Sequence, residues 1–289
     1  MASGKKPWYV TLFNCILTLI CLVVLIVGGV FLFFKIKYNV NVFTTIAQVK
    51  VLNEKVDVAE KFKNQYSETD MDSAMTIVNA QVAGLIVKTA TGYEISTSGL
   101  ETTMANSFSL TGKQVGAIGN VMLTQNNQKT VNIGGKELNY DLLQVDFLNI
   151  EETKADVNIV IKVNIDPIKE DMTGFFMNIV KKNMPSDLYI SSTVTIEKGA
   201  TAFAYTVTSK SLTLNNLTEE QTANLLTTIN KFMSFTTVEE INKLIGGSFA
   251  DAMIGTETNK GFAYSLKALG ATDYNFVVNS ETGYFSVLH

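Results

Sequence analysis

From Trp8 to Phe34 the chain reads WYVTLFNCILTLICLVVLIVGGVFLFF, without one charged residue. Nothing else in the sequence restricts the fold as much. As a helix this run would rise about 40 Å at about 1.5 Å per residue, more than the roughly 30 Å of a bilayer's hydrocarbon core. A buried helix of a soluble protein keeps one polar face, which Asn14 and a few threonines do not supply. Trp8 and Tyr9 at one end and Tyr38 just past the other stand where interfacial aromatics belong. The run is therefore expected to be one transmembrane helix over 8–34. A cleaved signal peptide would have a shorter apolar core followed by a small-residue site. Here the run ends in FFKIKYNV, which fits an uncleaved signal anchor.

Residues 1–7 are then a short cytoplasmic tail and 67–289 an exported domain. Lys5 and Lys6 precede the span and Lys35 and Lys37 follow it, so the positive-inside comparison is nearly even. The outward orientation is chosen on the anchor with its basic leader; a tethered cytoplasmic domain is the alternative. Beyond residue 40 the charge is 19 lysines against 27 acids, 19 − 27 = −8. The lysines are not clustered as nucleic-acid binding requires, so nucleic acid is not an expected partner. Arginine is absent, which removes bidentate clamps for phosphate or carboxylate. Both cysteines, Cys15 and Cys21, lie in the apolar run.

Past the span, Ile46, Val49, Leu52 and Val56 fall at helical spacing, predicting a helical neck over 35–66. Ser67 and Thr69, followed by acids and an apolar run, mark a helix start. The period then changes. In ADVNIVIKVNI (155–165), Val157, Ile159, Ile161, Val163 and Ile165 alternate with polar residues, interrupted only by Val160. The segments 142–150, 187–197 and 202–214 are also rich in β-branched residues. Consecutive strands with short connections predict an antiparallel sheet. Between two of them, Asp166 as cap, Pro167 at the first helical position, Lys181 and Lys182 in the last turn and Pro185 beyond predict one amphipathic helix. Its apolar stripe is Ile168, Met172, Phe175, Phe176 and Ile179. DYNFVVNSETGYFSVLH reads as a hairpin turning at Ser280–Gly283.

The glycines of SLTGKQVGAIGN (109–120) could suggest a phosphate loop, but neither the Walker nor the Rossmann spacing is met. Thr111 with Gln114 fits a capping box, as do Thr218 with Gln221 and Thr236 with Glu239. Gly116 and Gly119 then share one helical face and permit close approach of a neighbour. The repeated Leu-Thr-x-x-Gln fits either an old duplication or, preferably, two capped helices that begin alike.

Chemistry is scarce. The only histidine, His289, is the last residue and is expected to fray. A Ser-His-Asp triad, a Cys-His pair and the usual zinc sets therefore lack their parts. Acidic pairs occur at Glu151–Glu152, Asp166 with Glu170 and Asp171, Glu219–Glu220 and Glu239–Glu240. Most fall in first helical turns, where negative charge is favoured anyway. No catalytic residue, metal or cofactor is expected, and an enzyme is not.

A short tail, one span, a Leu-Thr-x-x-Gln helix, strands interrupted by an amphipathic helix ending near Pro185, and the strand LYISSTVTIEKG resemble the YpmS-type membrane-anchored proteins of Gram-positive bacteria over roughly residues 105–230. The resemblance implies an extracytoplasmic α+β domain similar to folds in which a curved antiparallel sheet wraps an amphipathic helix around a lipid. It carries over no functional residue.

The expected fold is thus α+β: a single N-terminal transmembrane helix and a curved antiparallel sheet packed on amphipathic helices. The expected function is a non-enzymatic bacterial envelope protein that binds an apolar ligand such as a lipid or lipid-linked precursor. Its groove would lie between the 167–183 helix and the sheet, lined by Met172, Phe175, Phe176, Ile179, Val157, Ile159 and Ile161. The alternative is an interaction scaffold for a cell-wall or membrane complex. Expected partners are the membrane, a lipid and an envelope protein.

Overall fold

The computed structural model describes residues 28–233, 236–279 and 282–289. Most of the expected span, residues 8–27, lies outside them, and no helix among the described residues is long and apolar enough to cross a membrane. The backbone is helical over 28–38 and turns at Asn39, where φ is 49°. Helix α1 (Val42–Asn53) starts behind Asn41, whose side-chain oxygen accepts from the Thr44 N–H. A short turn α2 (Val58–Lys61), helix α3 (Glu68–Asn79) and the small hairpin β1 (Ile86–Thr89)–β2 (Gly92–Ile95) follow. Strand β3 (Phe108–Thr111) then leads directly into α4 (Gly112–Gln125).

The main sheet comprises β4 (Thr130–Ile133), β5 (Lys136–Glu151), β6 (Lys154–Asn164), β7 (Asp187–Lys198) and β8 (Tyr205–Leu214), antiparallel and in that spatial order. It curls into a half-barrel. The strands foreseen from two-residue alternation are all present. Strand β6 shows the reason: Ala155, Val157, Ile159, Ile161 and Val163 point to the concave side and are essentially fully buried. Val160, which broke the alternation, faces the convex side and is buried there with Val56 and Phe62. The C-terminal hairpin is also present, as β9 (Asp273–Asn279) and β10 (Thr282–Leu288), with 280–281 outside the described residues. With β3 it makes a second sheet of order β3-β10-β9.

The helix expected over 167–183 is two helices, α5 (Asp166–Asp171) and α6 (Phe175–Asn183). Gly174, at φ 91°, breaks it, a backbone conformation that a residue with a Cβ rarely adopts. The N-cap of α5 is Ile165 and not Asp166, whose carboxylate instead pairs with Lys169 at 2.7 Å. Helix α7 (Glu219–Asn230) begins at the foreseen Thr218–Gln221 capping box. In α8 (Val238–Met253) the box is one residue later than expected, Thr237 with Glu240. Thr236 accepts instead from the Gly134 N–H of the β4–β5 turn. After α9 (Phe262–Ser265) a 3-10 turn over Leu266–Leu269 leads to β9.

The neck also differs from expectation. Helix α1 stops at Asn53, because Glu54 is extended, and Val49 and Leu52 are fully buried in the main core. Residues 54–66 then strap the convex face of the sheet. Phe62 packs against Tyr189 at 5.9 Å, and the Tyr66 hydroxyl donates to the Leu142 carbonyl at 2.8 Å. The C-terminus is pinned where fraying was expected, since the His289 N–H donates to Ser107 Oγ at 2.9 Å.

Helix α8 covers the concave face. A Cβ on Gly246 would lie 2.7 and 2.8 Å from the two methyls of Val194, whereas one on the adjacent Gly247 would meet nothing within 4 Å. Asn242, fully buried, accepts from Ser192 Oγ at 2.6 Å and donates to Ser209 Oγ and the Ser211 carbonyl. Gly246→Ala is therefore expected to destabilise: overpacking costs about 1–3 kcal/mol, against at most about 1 kcal/mol gained in helix propensity. Gly247→Ala should gain that propensity alone. Urea unfolding midpoints moving in opposite directions would bear this out; equal shifts would refute it.

Candidate functional site

The seven residues expected to line a groove do not share one. Val157, Ile159 and Ile161 lie on the concave face, each at most 1 % exposed. Their cross-strand partners show what covers them. Ile159 pairs with Val145 and Ser192. Val145 lies under Gly116 of α4, and Ser192 is tied to Asn242 of α8. Gly119 in turn admits the Phe249 ring of α8. The two glycines thus do what their spacing suggested, Gly116 admitting the Tyr66 ring with Val145 of the sheet beside it and Gly119 admitting a helix side chain.

Phe176 is buried on α6, which packs on α1, and Met172 is buried at the end of α5. Ile179 is half-buried, and Phe175 points outward, 67 % exposed. The space foreseen for an acyl chain is filled. An all-apolar gap between Leu52, Ile168, Leu225 and Ile241 has a volume of about 20 Å³, and none of the seven residues lines it.

The convex face holds a polar knot. Two β-bulges flank Asp156: one in β5, where Asn149 has φ 44°, and one in β8, which sets Lys210 outside the register with β7. Bulges of this kind re-aim side chains. Both deliver donors to one carboxylate, Asn149 at 2.7 Å and the Lys210 ammonium, and Thr195 Oγ1 adds a third at 2.7 Å. Burial pushes the Asp156 carboxyl upward, but the donors from Lys210, Asn149 and Thr195 outweigh it and hold the group below the ordinary carboxylate range. Accepting from β5, β7 and β8 while itself on β6, this carboxylate ties four strands together.

Among the described residues, the clefts large enough for a ligand include one beside α8 and one at the start of α4. One, about 590 Å³, lies between the Gly134–Gly135 turn and α8 at Glu240, Lys243 and Leu244. The other, about 510 Å³, lies at the start of α4 beside Asn64, Lys113, Asp146 and Thr282. Neither brings a nucleophile to a base. Glu240 is occupied capping α8, and Lys243 pairs with Glu239 at 2.8 Å. Among the described residues no group of three His, Cys, Asp or Glu could hold a metal ion. Of the acidic pairs, Glu219–Glu220 and Glu239–Glu240 sit in first helical turns and Glu151 pairs with Lys154.

What the fold defines is an α+β protein with a helix-filled antiparallel half-barrel. Compared with known proteins, the chain matches no protein-family model, no curated protein and no solved structure.

Asp156 gives the site a sign for its pH dependence. Its folded value lies below its unfolded one, so its contribution to stability is complete above about pH 4, the ordinary Asp value. It is lost as pH falls through the folded value. Asp156→Asn should flatten that acid limb of the urea midpoint; an unchanged limb would mean that the knot contributes nothing.

Proposed function

We propose that this chain is a single-pass envelope protein whose α+β body is an interaction module for another protein of the membrane or cell wall, and not an enzyme or a lipid carrier. The observation that carries this reading is the filled concave face: α4 and α8 occupy the volume a carried lipid would need. Pockets for such ligands run to about 300–1,000 Å³ and are mainly apolar, far beyond the 20 Å³ gap inside the body. The cleft between the β4–β5 turn and α8 suits a partner's surface better, because the exposed Leu244 stands there among Asn132, Glu240 and Lys243. An apolar centre with a polar rim is how protein interfaces are built.

The membrane part rests on the uncharged run from Trp8 to Phe34. The order of elements that resembles the YpmS-type proteins supports the same anchored arrangement, with the N-terminus in the cytoplasm and the body outside. Protease added to protoplasts is expected to digest the body and spare the N-terminal segment; a protected body reverses the orientation. A photoreactive phenylalanine analogue in place of Leu244 in living cells should give a discrete protein adduct. Labelling of lipid alone, or no labelling, would remove the scaffold reading.

A further inference from the structure

The exposed apolar side chains are unevenly distributed. Among the described residues, Leu32, Phe33, Ile36, Phe43 and Phe175 are 50–75 % exposed and gather at one end of the body, while Val87 and Val278, at 51 and 52 %, lie on the β1–β2 and β9–β10 hairpins. Aromatic contacts draw that end together. The helix over 28–38 puts Phe31 4.3 Å from Phe43 and Phe34 5.4 Å from Phe176. Phe232, just past α7, meets Phe34, Tyr38 and Phe176 at 5.9, 5.0 and 4.7 Å. One face of the 28–38 helix is thus docked on α1, α6 and the end of α7, while Leu32, Phe33 and Ile36 remain bare on the other. Rings this close hold the helix against the body, with no spacer between them.

The segments that meet here are also one-sided in charge, the nearest acids before Phe175 being Glu170 and Asp171 of α5, the latter paired with Lys136. The 28–38 helix, α1, α6 and residues 230–233 carry Lys35, Lys37, Lys50, Lys181, Lys182 and Lys231 and no Asp or Glu, in a chain of net charge −4. Lys37 lies over the Phe33 and Tyr38 rings at 5.3 Å, and Lys231 donates to the Asn39 carbonyl at 3.2 Å. Aromatic residues interleaved with lysines are the composition that settles at the headgroup layer, where basic residues meet anionic lipid.

Length points the same way. The helix expected over Trp8–Phe34 would outrun the hydrocarbon core by about 10 Å, roughly its last two turns. Those turns are the ones clamped to the body through Phe31 and Phe34.

From these observations we infer that the body lies directly on the membrane, with the Phe43–Phe175 end seated among the headgroups of anionic lipid, and is not held away from it on a neck. This rests on the single-pass reading above, and the test separates the two.

Trp8 is the only tryptophan, so the wild-type full chain in phosphatidylcholine–phosphatidylglycerol vesicles reports on the anchor. Trp8→Phe combined with Phe175→Trp moves the reporter to the body, at a position exposed enough to accept it. Emission is measured with lipids brominated high on the acyl chain and, separately, with aqueous iodide. Docking predicts a loss of emission at position 175 with brominated lipid, little loss with iodide, and weaker lipid quenching when salt is raised or phosphatidylglycerol is omitted. Lipid quenching of Trp8 with iodide quenching at 175 would leave the anchor standing and overturn docking. Protection at 175 from both quenchers would mean that protein, such as a second copy, covers the patch, and would also overturn it. Failure of lipid to quench at either position would overturn the single-pass reading as well.

Discussion

Helix α8 inside the curl of the main sheet is the contact on which the rest of the body depends. A five-stranded sheet with one apolar face must bury that face, either against a second layer or around a ligand. Here the second layer comes from the same chain. Gly246 lets the helix backbone sink between Val194 and Val207, and Asn242 satisfies its amide on Ser192, Ser209 and Ser211. Apolar contact alone would let the helix slide along the sheet. A buried amide with three partners on two strands penalises every other register, since an unpaired buried polar group costs roughly 1–3 kcal/mol. Helix α4 then lies beside α8 through Gly119 and Phe249, and the interior closes.

The convex face is held by different means. Residues 54–66 cross it as a strap, joined through Tyr66 to β5 and through Phe62 to Val160 and Tyr189. Asn215, at φ 45° after β8, donates to the Leu52 carbonyl and accepts from Lys61, so the end of the sheet grips the strap at both sides. Beside it, Asp156 gathers donors from two bulges. These ties connect the chain just after the apolar run to the middle of the sheet. The segment that leaves the apolar run is part of the fold from Val40 onward, which is why the lysine-rich aromatic end and the body form one surface.

Much of this architecture could be read from residue order. Two-residue alternation located β6 and β7, richness in β-forming residues located β5 and β8, and threonines followed three positions later by glutamine located the starts of α4 and α7. Where reading failed, the missing information was long-range. Val49, Leu52 and Val56 look the same whether they face a neighbouring neck helix or a sheet 100 residues away. The single helix over 167–183 satisfied every local rule except the conformation of Gly174. Helix α8 was visible only as a start, although Ile241, Ile245 and Phe249 continue one apolar stripe through it. Nothing in the local pattern distinguishes Gly246, which lets the sheet approach, from Gly247, which faces open space.

The candidate groove illustrates the division most clearly. Local pattern established that Val157, Ile159 and Ile161 share a buried face, that both cysteines lie in the uncharged run and the only histidine is residue 289, and that this run precedes an acidic body. Periodicity reports which side chains leave water, because burial depends on the spacing of residues along one element. It does not report what they meet, because that depends on elements far apart in the chain. Which element lies against the concave face was decided by packing: α8 fits it through Gly246 and Asn242.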